Sequence, residues 1–175
     1  MKKSSTLFLR SSFFIFSILI FSCFTSCGIY SLSGADTGNA ETFQVNYFQN
    51  NADLVEPGID RTFTLQLQDL IQSQTSLNLT NQNGDLVYEG EIVQYYVAPM
   101  TSTSQNTAAQ NRLTIAVNVR FYNNLNPEKD FEKRFSFYHD YPAGEQLVGS
   151  RLDTALEDIY NRITQDIFTE SLTGW

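Results

Sequence analysis

Few side chains in this chain could do covalent or acid–base chemistry. There is one histidine, His139, and there are two cysteines, Cys23 and Cys27. Glu89 and Glu91 add a pair of carboxylates two residues apart in a strand-like segment. Nucleophilic catalysis needs a base beside a nucleophile. His139 falls in a segment patterned as a strand, so a structural role is expected for it. Glu89 and Glu91 share one strand face, a spacing met in glycosidases. No motif surrounds them, and they read as solvated carboxylates. There is no cysteine for a metal outside the N-terminal segment, no glycine-rich phosphate loop and no H-E-x-x-H. The expectation is no enzyme, no metal and no cofactor. Asn78-Leu79-Thr80 spells a glycosylation sequon and nothing more.

Cys27 is the residue with a chemical task. Lys2, Lys3 and Arg10 precede an apolar run from Phe13 to Phe24. That run is about a dozen residues, short of the roughly 20 that an α-helix needs to cross a bilayer. It fits a cleaved export signal. Thr25 and Ser26 then place small residues directly before Cys27, in the manner of a bacterial lipobox. In such signals the thiol receives a diacylglycerol and the cysteine becomes the new N-terminus. Several acyl chains at about 0.8 kcal/mol per CH₂ hold a protein stably to a membrane. Cys23 is the second candidate, but Phe21-Ser22 precedes it inside the apolar run, and Cys27 is preferred. The division expected is a lipoprotein signal peptide at 1–26, a lipidated tether at 27–40 and a folded domain at 41–175. The covalent lipid on Cys27 is the only non-protein group expected, and no structural disulfide is foreseen.

Charge narrows the partners. The chain has 175 residues with 11 Lys and Arg and 19 Asp and Glu. Cleavage before Cys27 removes three cations and no acid, which takes the net charge from −8 to −11. Such acidity argues against nucleic acid. It also argues against adhesion to anionic headgroups, so the membrane is held through the lipid anchor. The 14 Phe, 9 Tyr and 1 Trp suit strands and a partner surface.

The pattern of apolar residues sets the elements. Phe43, Val45 and Tyr47 alternate in a first strand over Thr42 to Phe48. Phe63, Leu67, Leu70 and Ile71 mark a helix from Ile59 to about Gln74, with Pro57 suited to its first turn. Leu86 to Val97 is a long strand whose alternation slips, and a bulge or bend at Gly90 would explain the slip. Residues 99–111 are polar and small and read as a long loop, mobile or ordered by a partner. Leu113, Ile115, Val117, Val119 and Phe121 alternate without fault. Phe131, Phe135 and Phe137 mark a fourth strand ended by Pro142. Val148, Leu152, Ala155, Leu156, Ile159, Ile163 and Ile167 form the stripe of a closing helix. The order is β-α-β-β-β-α. The predicted fold class is α+β, a two-layer sandwich with two helices on one face of a four-stranded, mostly antiparallel sheet.

Several stretches resemble the lipopolysaccharide-assembly lipoprotein family LptE in its Bacteroidetes form. They are Cys27-Gly28-Ile29-Tyr30-Ser31 with Gly34-Ala35, Val45-Asn46-Tyr47-Phe48, Asn50-Asn51-Ala52 with Leu54-Val55, and Gly90-Glu91-Ile92 with Tyr95 and Pro99. Asn111-Arg112-Leu113-Thr114-Ile115, Phe131-Glu132-Lys133 and Trp175 continue the series. The likeness covers nearly all of the chain after Cys27, in order. It implies a non-enzymatic outer-membrane protein that partners and plugs the LptD β-barrel while lipopolysaccharide (LPS) passes to the cell surface. It also implies direct LPS contact through basic residues. The implied place is the outer membrane, facing the periplasm and the barrel lumen. Gly28-Ile29-Tyr30-Ser31-Leu32 carry neither an acidic run nor an Asp after the cysteine, and both absences favour the periplasmic leaflet. The alternative is a free-standing periplasmic lipoprotein that binds glycolipid or braces another envelope complex.

Two sets of residues are candidates for contact. Arg112, Arg120, Lys133 and Arg134 could bind LPS phosphates and carboxylates. Equally, each could be a solvated or salt-bridged strand residue. Tyr88, Tyr96, Tyr122 and Tyr138 could populate the sheet face that the helices leave open, as a partner face. Ordinary cross-strand aromatic pairing is the competing account.

Overall fold

The computed structural model describes residues 34–54, 56–100 and 109–173. The chain divides into Met1–Leu32 and Ser33–Trp175, and the described residues all belong to the second unit. Cys23, Cys27 and Trp175 lie outside the described residues. So do 27–33 of the expected tether and 101–108 of the expected long loop.

The elements are β1 (Thr42–Val45), β2 (Gln49–Asn50), α1 (Ile59–Gln74), β3 (Asn78–Leu79), β4 (Leu86–Met100), β5 (Gln110–Asn123), β6 (Phe131–Pro142) and α2 (Ser150–Leu172). A 3-10 turn at Pro127–Lys129 joins β5 to β6. The sheet runs β3-β1-β4-β5-β6, with β2 also beside β4. β4, β5 and β6 form the expected antiparallel meander. β1 and β2 lie parallel to β4. The two-layer α+β fold stands, with a sheet enlarged by two two-residue strands, β2 and β3.

β5 organises the core. Leu113, Ile115, Val117, Val119 and Phe121 all point to the helices and are fully buried. Phe63, Leu67 and Ile71 of α1 and Ile159, Ile163 and Ile167 of α2 meet them. Both helices follow strands that end at the same end of the sheet, so both run in one direction, away from that upper end. Val148, expected on the α2 stripe, precedes the helix and is exposed. Pro57 likewise stands one residue before Gly58, the N-cap of α1.

Three local features depart from the expected pattern, each for a steric reason. Tyr47 is exposed rather than buried, because the chain jogs between β1 and β2 and puts Phe48 into the core instead. The slip in β4 falls at Val93, where the register with β5 shifts between Ile92 and Gln94. The extra residue lets Ile92 and Tyr95, three apart, both face the helices. Gly90 has a different task, since a β-carbon there would lie 2.0 Å from Asn118 O and 2.8 Å from Phe48 Cε1. Glycine is required because the β5 backbone approaches closely there, with the Phe48 ring packed against the same spot.

The strands also reach further than the polar composition of 99–111 suggested. Pro99 pairs with Asn111 and Met100 with Gln110. From Gly34 onward the expected tether is docked, with the Asp36 amide donating to Leu172 O and Ala35 and Ala40 packed on the core. Asp85 accepts from the amides of Glu41 and Thr42 and from the Thr42 hydroxyl. Those donors hold its carboxyl below the usual carboxylate range.

β6 is one of the sheet's two outer strands, opposite β3, and its edge is guarded. Ala143 N donates to Ala109 O at 2.9 Å, which extends the β5–β6 ladder and fixes its phase. The amides of Glu132, Arg134, Ser136, Tyr138 and Asp140 therefore point away from β5. Pro142 holds the next outward position, where its missing N–H exposes nothing. Phe137 and Tyr138 start on opposite faces, yet their rings stack with centroids 5.4 Å apart. They meet only by leaning around the outer edge. Such covering blunts edge-to-edge pairing.

Replacing Gly90 with Ala should destabilise the domain by roughly 2 kcal/mol or more, as overpacked cores do. Urea unfolding would measure it. A Gly90→Ala protein as stable as the wild type would refute the close-approach role assigned to this glycine.

Candidate functional site

The face of the sheet away from the helices has no covering element among the described residues. Register assigns its occupants. On β4 they are Val87, Glu89, Glu91, Gln94, Tyr96, Ala98 and Met100, and on β5 the even-numbered residues from Gln110 to Tyr122. On β6 they are Glu132, Arg134, Ser136, Tyr138 and Asp140. Gln44 and Asn46 continue the face beside β4.

The four tyrosines separate. Tyr96, Tyr122 and Tyr138 are on this face and 57%, 37% and 44% exposed. Tyr88 is not, and its placement on the partner face is corrected. It shares strand parity with Leu86 and Ile92, which the helices bury, and it is 0% exposed. Its ring packs on Phe121 at 4.9 Å, and its hydroxyl and that of Ser171 in α2 are 3.0 Å apart. Burial pushes the Tyr88 phenol well above its ordinary pKa. The alternation of β4 before its bulge carries the signal that places Tyr88 inside.

The four cations also separate. Arg112, Arg120 and Arg134 lie on the open face. Lys133 pairs with Val119, points to the helix side, and makes a 2.7 Å ion pair with Glu170 of α2. It cannot act with the other three.

Two of those three are already neutralised. Arg120 Nε donates to Glu89 at 3.2 Å, and Nη2 donates to Glu91 at 3.1 Å. Asn46 donates to Glu89, and Asn118 to Glu91. Glu89 and Glu91 are thus the clamp on Arg120 rather than free solvated carboxylates. The clamp holds the Arg120 guanidinium more strongly charged than usual. Arg112 grips Asp140 with two bonds, 2.6 Å and 2.8 Å, and lies 3.6 Å above the Tyr138 ring. The Arg112 guanidinium in turn holds the Asp140 carboxyl below the usual range. Arg134 differs, because it reaches over Ala116 to the neutral amide of Gln94. Ala116 is fully buried on an otherwise open face, consistent with cover from those two side chains.

The face therefore has two parts. Its lower part, toward the start of β4, is a lattice of paired charges and amides around Arg120. Its upper part combines the Arg112–Asp140 pair with Tyr96 and Tyr138, which sit on either side of Thr114 in one cross-strand row. Nothing in this arrangement resembles a nucleophile with its base. His139 lies on the helix side, where Nδ1 donates to Asp158 of α2 at 2.9 Å and ties the outer strand to the helix. Among the described residues no group of three His, Cys, Asp or Glu side chains converges to hold a metal. Among them too, no helix is long and apolar enough to cross a membrane.

Two outcomes follow from these contacts. Tyr88→Phe should cost about 1 kcal/mol, the usual worth of a buried hydrogen bond, in a urea titration. Asp140 has a depressed folded pKa, so its stabilising effect is present above the unfolded value near 3.9 and fades as pH falls through the folded value. Asp140→Asn should lower the melting temperature at pH 7, and the gap to wild type should close in acid. A gap unchanged at about pH 2.5 would remove Asp140 from the account.

Comparison with known proteins places this geometry. A hypothetical protein of Chlamydia trachomatis superposes with a TM-score of 0.52 at 8% identity, over 75% of this chain and 98% of that one. An uncharacterized lipoprotein B of Nitrosomonas europaea gives 0.48 at 13% identity, over 82% of this chain and 88% of that one. At such identities the first likeness speaks for the fold alone. Among curated proteins no relative matches in sequence. The family model described as "LptE: Lipopolysaccharide-assembly" matches residues 40–171, nearly all of the folded unit. That family is non-enzymatic, and on this ground the expectation of no enzyme holds. The chain belongs to the lipopolysaccharide-assembly family LptE.

Proposed function

We propose that this lipoprotein is lipidated at Cys27, sits at the periplasmic leaflet of the outer membrane, and partners an LptD-type β-barrel whose lumen it plugs during LPS export. The uncovered sheet face carries the reading, in a chain of the LPS-assembly family. A barrel lumen is polar. A plug surface must therefore be polar, yet able to dock without stranding charge. Burying an unpaired ion costs several kcal/mol, whereas paired ions lose far less. Glu89, Glu91, Arg120, Arg112 and Asp140 are paired in advance. Tyr96, Tyr122 and Tyr138 supply amphipathic contact area at low conformational cost.

Direct LPS contact falls to the open face, and within it first to Arg134. An LPS phosphate has to displace carboxylates from Arg112 or Arg120. At Arg134 it displaces only the Gln94 amide. Lys133 is assigned no LPS role, since Glu170 holds it on the helix side.

Two measurements test this. Purification of the full chain in mild detergent, followed by mass spectrometry, should recover a large β-barrel protein. A photo-crosslinker at Tyr96 or Tyr138 should capture that barrel, and one at Val87, on the charged half, should report whether the lattice side is also in contact. Recovery of no barrel would overturn the plug reading in favour of a free-standing lipoprotein. In a binding assay with purified LPS, Arg134→Ala should weaken affinity about tenfold, a charge-assisted bond's worth. Arg120→Ala should do less, and the reverse order would refute the assignment.

A further inference from the structure

The opposite surface of the domain has a feature that the plug reading does not use. α1 and α2 run the same way, and between their upper halves lies an outward-facing groove of about 450 Å³. Leu65 and Leu156 line it with apolar surface, and Gln66 borders it. Leu65 is 45% exposed, unusual for a leucine beside a helix seam. Gln66 also donates to Asn161 of α2 and bridges the two helices there.

Charge around this groove has one sign. Asp69 stands on the α1 side, and Asp153 and Glu157 stand on the α2 side. No lysine or arginine lines it. Other acids of α2 and its approach have partners: Glu145 with Arg151, Asp158 with His139, Asp166 with Arg162, and Glu170 with Lys133. Among the described residues, Asp69, Asp153 and Glu157 take part in no ion pair. Among the acids of α2 and its approach, the two left without cations, Asp153 and Glu157, are thus the ones that flank the exposed leucine, and Asp69 of α1 faces them across the groove.

We infer that this groove docks a basic amphipathic helix of a partner protein. A seam between two parallel helices accepts a third by ridge-into-groove packing. From Thr62 to Asp69 the groove spans about 10 Å of helix rise, or two turns. Asp153 and Glu157 are one turn apart on one flank, so they suit lysines or arginines at i and i+4 of the incoming helix. Asp69 suits a cation on its other flank. Leucine or methionine between the two flanks lands on Leu65 and Leu156. A second copy of this chain is a poor occupant, because both of its helices already spend their apolar stripes on its own core.

The inference stands apart from the barrel reading, and each can fail alone. The test uses the full chain in mild detergent and a fluorescent synthetic peptide of about 14 residues. The peptide has leucines at i, i+3 or i+4, and i+7, flanked by lysines. Three variants matter: Asp69→Asn/Asp153→Asn/Glu157→Gln in the groove, Leu65→Ser on its floor, and Asp53→Asn/Glu128→Gln/Glu132→Gln elsewhere with the same change in charge. The groove triple should weaken binding at least tenfold and Leu65→Ser several-fold, while the control triple stays within twofold of wild type. Equal loss in both triples would mean diffuse attraction to an acidic protein and would overturn the proposal. So would a composition-matched, scrambled peptide that binds as tightly, since no helix is then being read. Thermal melts guard the comparison, because unpaired surface acids should be replaceable with little change in melting temperature.

Discussion

The structure depends on one constraint: β5 is hydrogen-bonded on both sides along nearly its whole length. A strand so held cannot slip by one residue without turning its apolar side chains outward. Its odd positions must then be core and its even positions must be surface. β4 and β6 inherit that assignment through their registers with it. The helices have one face to cover, and everything of the opposite sign is left in the open. The division between a helix-covered side and a bare side is thus set by five alternating residues, Leu113, Ile115, Val117, Val119 and Phe121.

That run was the plainest feature of the sequence, and the fold was legible for the same reason. Period alone located both helices and the meander. What period could not supply was phase across irregularities. Tyr88 lies before the bulge of β4 and Tyr96 after it, so assigning both to one face required knowing where the extra residue sits. Gly90 drew attention to itself, yet the insertion is at Val93, because glycine was serving the close approach of Asn118 and Phe48 rather than a change of register. Similarly, Tyr47 and Phe48 exchanged places once the chain jogged between β1 and β2. Contacts between distant segments decided these positions, and no window of sequence contains them.

Cations were harder still. From sequence, Lys133 and Arg134 are neighbours and look like one patch. In a strand they are on opposite faces by geometry. Whether an arginine is free also depends on which carboxylates register brings across from it. Arg120 meets Glu89 and Glu91 from a strand about 30 residues away, and Arg112 meets Asp140 from the other side. A surface rich in charge by composition is accordingly close to neutral in detail. What sequence could offer was the identity of the residues, and the structure replaced a basic patch with a largely self-satisfied lattice. The same accounting applied to the helix layer has the opposite result, since there the acids near the seam find no counter-charge.

The stacked rings of Phe137 and Tyr138 have a consequence for how this domain can acquire partners over time. Main-chain amides are the same in every protein, and a strand that offers them pairs with many unrelated strands. By closing its midpoint with rings and its end with Pro142, the outer strand withholds that promiscuous mode of attachment. Lasting association at this edge has to be negotiated through side chains. Side-chain contacts can drift one residue at a time, on either broad surface, while the ladder that defines the fold stays untouched. A family that shares this framework can therefore diverge to very low identity without losing its shape.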